Sequence, residues 1–334
     1  RSIDGGQTWT QLAGGLPNQD ATDLAIDSAN PATLYAAVGR IFGAAENGVY
    51  KSTDGGDTWS RLSGGLPTAS VGRISIAAAP SNPQRLYTLI ARACDAVGGN
   101  GGTLSALRSD NAGASWTSIP AGSFQSTYGW YLNVIQVHPT NPDTVVMGGL
   151  NLILSTNAGA SWSTITPPHV DIHALAFDSS ARLLSGDDGG VHRSANLGGL
   201  WSSLNTGVGT IQFYAGVSTH PTNAEFVIGG AQDNGTNRRT TDTLVWGSVL
   251  GGDGGWTQVD QVDPSRAFAE FQGIGSFYRS TNGGASFSLA GTGISVRLAF
   301  FAPYLIDPSN SQRMLYGTER VWLSTNGGTS FTVL

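Results

Sequence analysis

An eight-residue pattern recurs seven times in this chain: Ser, any residue, Asp or Asn, any residue, Gly, any residue, a residue that is usually small, then Trp or Phe. The copies run Ser2 to Trp9, Ser52 to Trp59, Ser109 to Trp116, Ser155 to Trp162, Ser194 to Trp201, Ser280 to Phe287 and Ser324 to Phe331. The third-position Asp or Asn can bond its own backbone a residue or two on and close an Asx-type turn. The following Gly supplies a positive φ that other residues adopt at a cost. A Trp dropped into an apolar seam removes roughly 150–250 Å² from water, so each copy reads as a hairpin turn with an aromatic anchor. The repeated Asp and Asn residues are therefore expected to be architectural and not catalytic.

A second motif alternates with the first. It reads Asp27-Ser-Ala-Asn-Pro31, Pro80-Ser-Asn-Pro83, His138-Pro-Thr-Asn-Pro142, His220-Pro-Thr-Asn223, Asp263-Pro-Ser265 and Asp307-Pro-Ser-Asn310, and is worn to Asp178-Ser-Ser-Ala181. Each copy lies between two β-rich apolar runs, where Pro and Asn mark a turn joining strands. One unit is then an inner strand, a Pro-Asn turn, a second and third strand, the eight-residue turn and an outer strand. The spacing of about 40–57 residues suits propeller blades. Between Ser194 and Ser280 an eighth turn is hidden as Arg239 to Trp246, which keeps the Trp and loses the Gly. The expected fold is all-β, a seven-bladed β-propeller of four-stranded antiparallel blades in one domain over 1–334. The blades fall at 13–62, 63–119, 120–165, 166–204, 205–250, 251–290 and 291–334. Residues 1–12 form a surplus outer-strand segment, so eight blades is the alternative.

The eight-residue pattern resembles the Asp-box, or bacterial neuraminidase repeat, of sialidases, sortilin-type receptors, xyloglucan-cleaving glycosidases and a photosystem II assembly factor. The resemblance implies a propeller in which the box links the third and fourth strands of each blade. It also implies a secreted, periplasmic or cell-surface setting.

Composition narrows the partners. A net charge of −6, with Lys51 the only lysine and the arginines scattered, excludes the clustered basic surface that a nucleic-acid backbone requires. Cys94 is the only cysteine, so no intrachain disulfide forms, and no apolar run is long enough to span a membrane as a helix. The chain opens on Arg1 inside a repeat, which reads as a processed or trimmed chain.

Residues that break the repeat concentrate in the middle blades. Tyr128, Trp130 and Tyr131 lead into blade three, and His169, Asp171 and His173 lead into blade four, followed by Asp187 and Asp188. Blade five adds Gln212, Tyr214, Gln232, Asp233 and Asn234, and blade six adds Asp253 and Trp256. Aromatic faces stack on sugar rings, amides bind hydroxyls, and paired carboxylates can act as acid and base. Asp187, Asp188 and Asp233 are the candidate catalytic carboxylates, and the others are candidate ligand contacts. The expected function is a glycan-active or glycan-binding propeller, a glycoside hydrolase if it is an enzyme. The alternative is a non-catalytic scaffold that binds protein or peptide on the same face.

The run Asp-Asp-Gly-Gly, Gln-Phe-Tyr, Gln-Asp-Asn-Gly and Gly-Gly-Asp-Gly looks like secreted bacterial repeat proteins related to xyloglucan-type glycosidases. Those place acid and base on two facing propellers, where a single propeller is expected here. No cofactor is called for. His169, Asp171 and His173 alternate along a segment expected to be extended, so they would share a face; a metal there would need Asp187 or Asp188 to complete its ligands. A hydrogen-bonded His-Asp network is the other reading of that trio.

Overall fold

The structure is a computed structural model of the 334-residue chain. It describes all residues except 13, 96–100, 122–123, 274–275 and 296–299, and the side chains at 215–216 are also left aside. The chain from Cys94 to Gly102, expected to be a surface loop, lies outside the described residues over 96–100. Among these residues there is no helix, and the strands form seven four-stranded antiparallel sheets. The fold class is all-β, with the blade architecture of a seven-bladed β-propeller. No helix is long and apolar enough to cross a membrane.

Each blade is built from four consecutive strands. Their first strands are Ala21–Ile26, Val71–Ala79, Val134–Val137, Ile172–Phe177, Phe213–Thr219, Gly254–Val259 and Tyr304–Ile306. Two compact units divide the chain, residues 1–207 with blades one to four and residues 208–334 with blades five to seven. In the first unit the core runs between consecutive blades, with Tyr35, Val49, Ile74, Leu86 and Trp116 in one cluster and Tyr87, Val137, Met147 and Ile153 in the next. In the second, Phe268, Phe277, Tyr304, Tyr316 and Phe331 make an aromatic core.

The eight-residue turn has one hydrogen-bonding plan. In the copy at Ser155, Oγ donates to Asn157 Oδ1 (2.9 Å) and accepts from the Gly159 amide (2.9 Å). Asn157 Oδ1 also accepts from the Ser161 amide, while its Nδ2 donates to Ser161 Oγ. In the Ser52 copy a carboxylate takes the same place, and Thr58 Oγ1 donates to Asp54 Oδ2. These donated bonds hold the exposed Asp54 carboxyl down at about 2.

Two successive left-handed residues make the turn. The fourth position is Gly55, Ala112, Ala158 or Leu197 with φ of 73°, 53°, 59° and 56°, mostly inside the narrow region that L-residues tolerate. The fifth is always Gly, for two reasons. Its φ reaches 83° at Gly159, and a Cβ there would stand 2.8 Å from Ile119 of the preceding blade.

At three of the turns a cation just before the Ser ties it to the following one. Lys51 Nζ donates to the Ala112 carbonyl (3.0 Å), and Arg108 Nη1 donates to the Ala158 carbonyl (2.8 Å). Arg1 Nη1 makes the equivalent bond to the Gly55 carbonyl (3.2 Å). Residues 1–12 contain no strand, contrary to the outer-strand expectation. They fold the Ser2–Trp9 turn and lie against blade one, with Trp9 left 75% exposed. The Pro-Asn turns are capped from their first residue: Asp27 Oδ1 and Asp307 Oδ1 accept two backbone amides each, and His220 Nδ1 does the same.

The two left-handed positions are expected to respond differently to substitution. Gly159→Ala meets both a strained φ and Ile119, and should cost about 1–3 kcal/mol, whereas Ala158→Gly should stay within about 1 kcal/mol of wild type. Urea midpoints of the two variants check this, and equal midpoints would refute the assignment.

Candidate functional site

Within the first unit, three segments converge beside the first strands of blades three and four. Gln125 fixes the first segment: its Nε2 donates to the Leu132 carbonyl (2.6 Å) and its Oε1 accepts the Leu150 amide (3.0 Å). Tyr128 turns the chain with φ of 60°, and its carbonyl accepts the amides of Tyr131 and Leu132. Gly129 is required there because a Cβ would come 2.4 Å from the Gly101 carbonyl oxygen. The result presents Tyr128 and Tyr131, each 49% exposed, with Trp130 half-buried between them.

Tyr131 stands edge-on to the His173 ring at 4.9 Å, and His173 Nε2 lies 2.8 Å from Asp188. Asp171 does not continue the strand. Its φ is 64°, so His169, Asp171 and His173 do not share one face by simple alternation. One carboxylate oxygen of Asp171 and one of Asp188 come within 4.8 Å of each other. His169 Nδ1 sits 3.1 Å from the Val170 carbonyl, and the ring covers Gly189.

The adjacent carboxylates Asp187 and Asp188 are used differently. Asp187 ends the strand Leu183–Asp187 on its buried side, where it accepts from Ser185 Oγ (3.2 Å) and the Gly189 amide (3.1 Å) and faces His192 Nδ1 (3.1 Å). Its oxygens are occupied by the fold, whereas Asp188 remains partly exposed beside His173.

Below this cluster lies a cavity of about 460 Å³ walled by the first strands of blades one to four. Thr22, Asp23, Arg73, Ser75, Asn133 and His173 supply its polar lining. Asp23, Arg73 and Asn133 were not singled out from the sequence, because each has a side-chain partner in another blade. Asp23 accepts the amides of Leu24 (2.8 Å) and Ile76 (2.9 Å) and so clasps two blades. Burial raises its pKa above the usual carboxylate range, only partly offset by those bonds and by Arg73.

In the second unit, the predicted residues form a ladder of loops. The Gln232 amide donates to the Gln212 carbonyl (2.9 Å), and Asn234 Nδ2 donates to the Gln232 carbonyl (3.0 Å). The Asp233 amide donates to Asp253 Oδ1 (2.7 Å), and the Asp253 amide donates to Gln272 Oε1 (2.7 Å). Asp233 has φ of 58°, a turn conformation that Asp tolerates well. Tyr214 packs on Phe301 at 4.7 Å, and its phenol is raised by burial and by Asp253 and Asp233.

Behind Trp256 lies a buried carboxyl. Glu270 is 1% exposed, accepts the Trp256 amide (3.3 Å) on Oε1 and the Tyr316 hydroxyl (3.3 Å) on Oε2. Burial pushes its pKa up to about 8, against the smaller lowering from those bonds. Tyr304 donates to the Trp256 carbonyl (3.0 Å) and completes the surround.

No protein-family model matches the chain, and no curated protein matches it. Solved structures do. The GH74 xyloglucanase from Xanthomonas campestris aligns at 18% identity and a TM-score of 0.46, over 96% of this chain and 54% of that one. The GH74 enzyme of Niastella koreensis aligns at 18% identity and 0.41, over 98% and 58%. YCF48 bound to D1 peptide aligns at 13% identity and 0.42, over 95% and 93%. The chain thus spans about half the length of the GH74 enzymes.

Glu270 has a measurable signature. The folded state holds a proton between the ordinary glutamate value of 4.5 and about 8, where the unfolded chain has lost it. Stability is therefore expected to fall as pH rises through that window, by up to about 1.4 kcal/mol per pH unit. Glu270→Gln should remove this slope. Urea midpoints at pH 5, 6.5 and 8 check it, and an unchanged slope in the variant would refute the assignment.

Proposed function

We propose that the Tyr128–Tyr131 and His169–His173 segments, with Asp188, form a carbohydrate-binding face. The observation that carries the reading is the exposed Tyr131 ring held edge-on to His173, which is itself tied to Asp188. An exposed aromatic face suits the apolar side of a sugar ring, and the adjacent imidazole and carboxylate suit its hydroxyls. The face stands apart from the repeat's own hydrogen bonds, so it is free to vary without loss of the blades.

The same face supports a hydrolytic extension. One oxygen of Asp171 and one of Asp188 come within 4.8 Å of each other, close enough for the two carboxylates to act on one bond as a pair. Asp188 and not Asp187 is then the working carboxylate of the adjacent pair, because Asp187 is held inside the blade. The second unit has its own set of residues suited to a glycan, Asp233, Asp253, Gln232 and Trp256. The repeat is read as an Asp-box, and a secreted or cell-surface setting goes with that reading.

A panel of neutral and acidic polysaccharides, read by affinity electrophoresis and by release of reducing ends, tests this. Tyr131→Ala should weaken binding by about five-fold or more, the loss of an interface anchor worth over 1 kcal/mol. Asp188→Asn should abolish any release of sugar with binding largely kept. Binding that is indifferent to Tyr131→Ala, or absent across the panel, sinks the proposal.

A further inference from the structure

Arg73 is the least satisfied charged group in the first unit's cavity. Its Nη1 donates to the Tyr131 carbonyl (2.7 Å), and its Nε is buried with no hydrogen-bond partner. Among the described residues the guanidinium makes no other hydrogen bond and no ion pair, leaving most of its five donors unspent. Asp23 stands nearby and forms no ion pair with it; its two oxygens accept the Leu24 and Ile76 amides. Burial lowers the Arg73 pKa, partly offset by Asp23, as expected for a cation short of solvent and of a close partner.

We infer that this cavity takes a carboxylate-bearing sugar, with Arg73 gripping the carboxylate of a uronic acid unit. The inference rests on the glycan-binding reading and names its ligand class. A planar guanidinium with free N–H groups matches a carboxylate in a two-point grip that a neutral hydroxyl cannot equal. The cavity of about 460 Å³ falls within the usual size of small-ligand sites. Thr22 and Ser75 donate their hydroxyl protons to the Ile74 and Asn133 carbonyls and so meet a ligand only as acceptors, while the His173 ring also lines the cavity. Arg73 also bonds to the backbone of Tyr131, so the carboxylate anchor and the exposed ring belong to one connected arrangement. The chain's net charge of −6 opposes an acidic ligand only weakly, because exposed charges beyond about 8–10 Å are screened at physiological salt and Arg73 acts at contact.

The test is calorimetric titration of the full chain with α-1,4-trigalacturonate and its carboxyl-reduced trigalactoside, and with β-1,4-triglucuronate and cellotriose. A short peptide with a free C-terminus and its amide form a separate arm. One acidic trisaccharide should bind about ten-fold or more tightly than its neutral counterpart. Arg73→Gln should bring that ratio near one, and Arg73→Lys, a point charge without the planar fork, should give an intermediate ratio. Urea midpoints confirm that the variants fold. Equal binding of acidic and neutral sugars, or a ratio untouched by Arg73→Gln, overturns the inference and leaves the glycan reading standing. No binding of any sugar overturns both. Binding of the free-acid peptide alone, lost in Arg73→Gln, also overturns it and assigns the cavity to a peptide carboxylate.

Discussion

Six of the seven blades depend on a serine hydroxyl that accepts the amide of a glycine four residues later. That bond forms with two successive residues turned left-handed, and the Asp or Asn just before them holds the geometry by accepting a second amide. The turn then points its fourth-position carbonyl toward the preceding repeat, where Lys51 and Arg108 reach it. It also leaves the fifth-position glycine bare, and apolar residues such as Leu62, Ile119 and Ile165 pack onto that surface. A local turn thus becomes the joint between blades. Because the bonds are short-range, they form with little loop-closure cost, and the long-range packing of blade on blade follows from geometry already set.

One consequence is a division of labour within each blade. The eight-residue turn and the capped Pro-Asn turn at the same end are fully occupied by structure. The opposite ends, where strands begin and where second strands meet third, are not bound by the repeat. There the chain departs from the pattern: Gln125 braces one segment, Tyr128 and Asp171 adopt positive φ, and Asp253 supports Asp233. Strain and side-chain bracing at such positions need a rigid surround, which the repeated joints supply.

The blades were legible in the sequence because their determinants are local: residues one to eight of each turn recur in register and bond mainly to one another. The middle-blade residues were legible as exceptions to that register, but their partners were not. Alternation suggested that His169, Asp171 and His173 share a face, and a single left-handed residue at Asp171 defeats it. The cavity's Asp23, Arg73 and Asn133 come from blades one, two and three. Nothing within any one segment marks them, since their meaning arises only when three first strands stand side by side. The surplus segment misled for a related reason: residues 1–12 carry the turn but, among the described residues, have no third strand for an outer strand to pair with.

Carboxylates of one chemistry therefore meet separate fates set by neighbours. Asp54 bonds its own turn and is held strongly acidic, while Asp23 is buried across a joint and raised. Glu270, enclosed by Tyr304, Tyr316 and Trp256, is raised furthest. Asp187 and Asp188 are adjacent, yet strand alternation sends the first inward to Ser185 and His192 and the second outward to His173. A carboxylate whose oxygens are filled by amides and hydroxyls of the fold has little left for a ligand. The functional reading rests on Asp188, partly exposed and paired with His173 beside an exposed tyrosine, and on Arg73, the cation whose donors the fold leaves largely unspent.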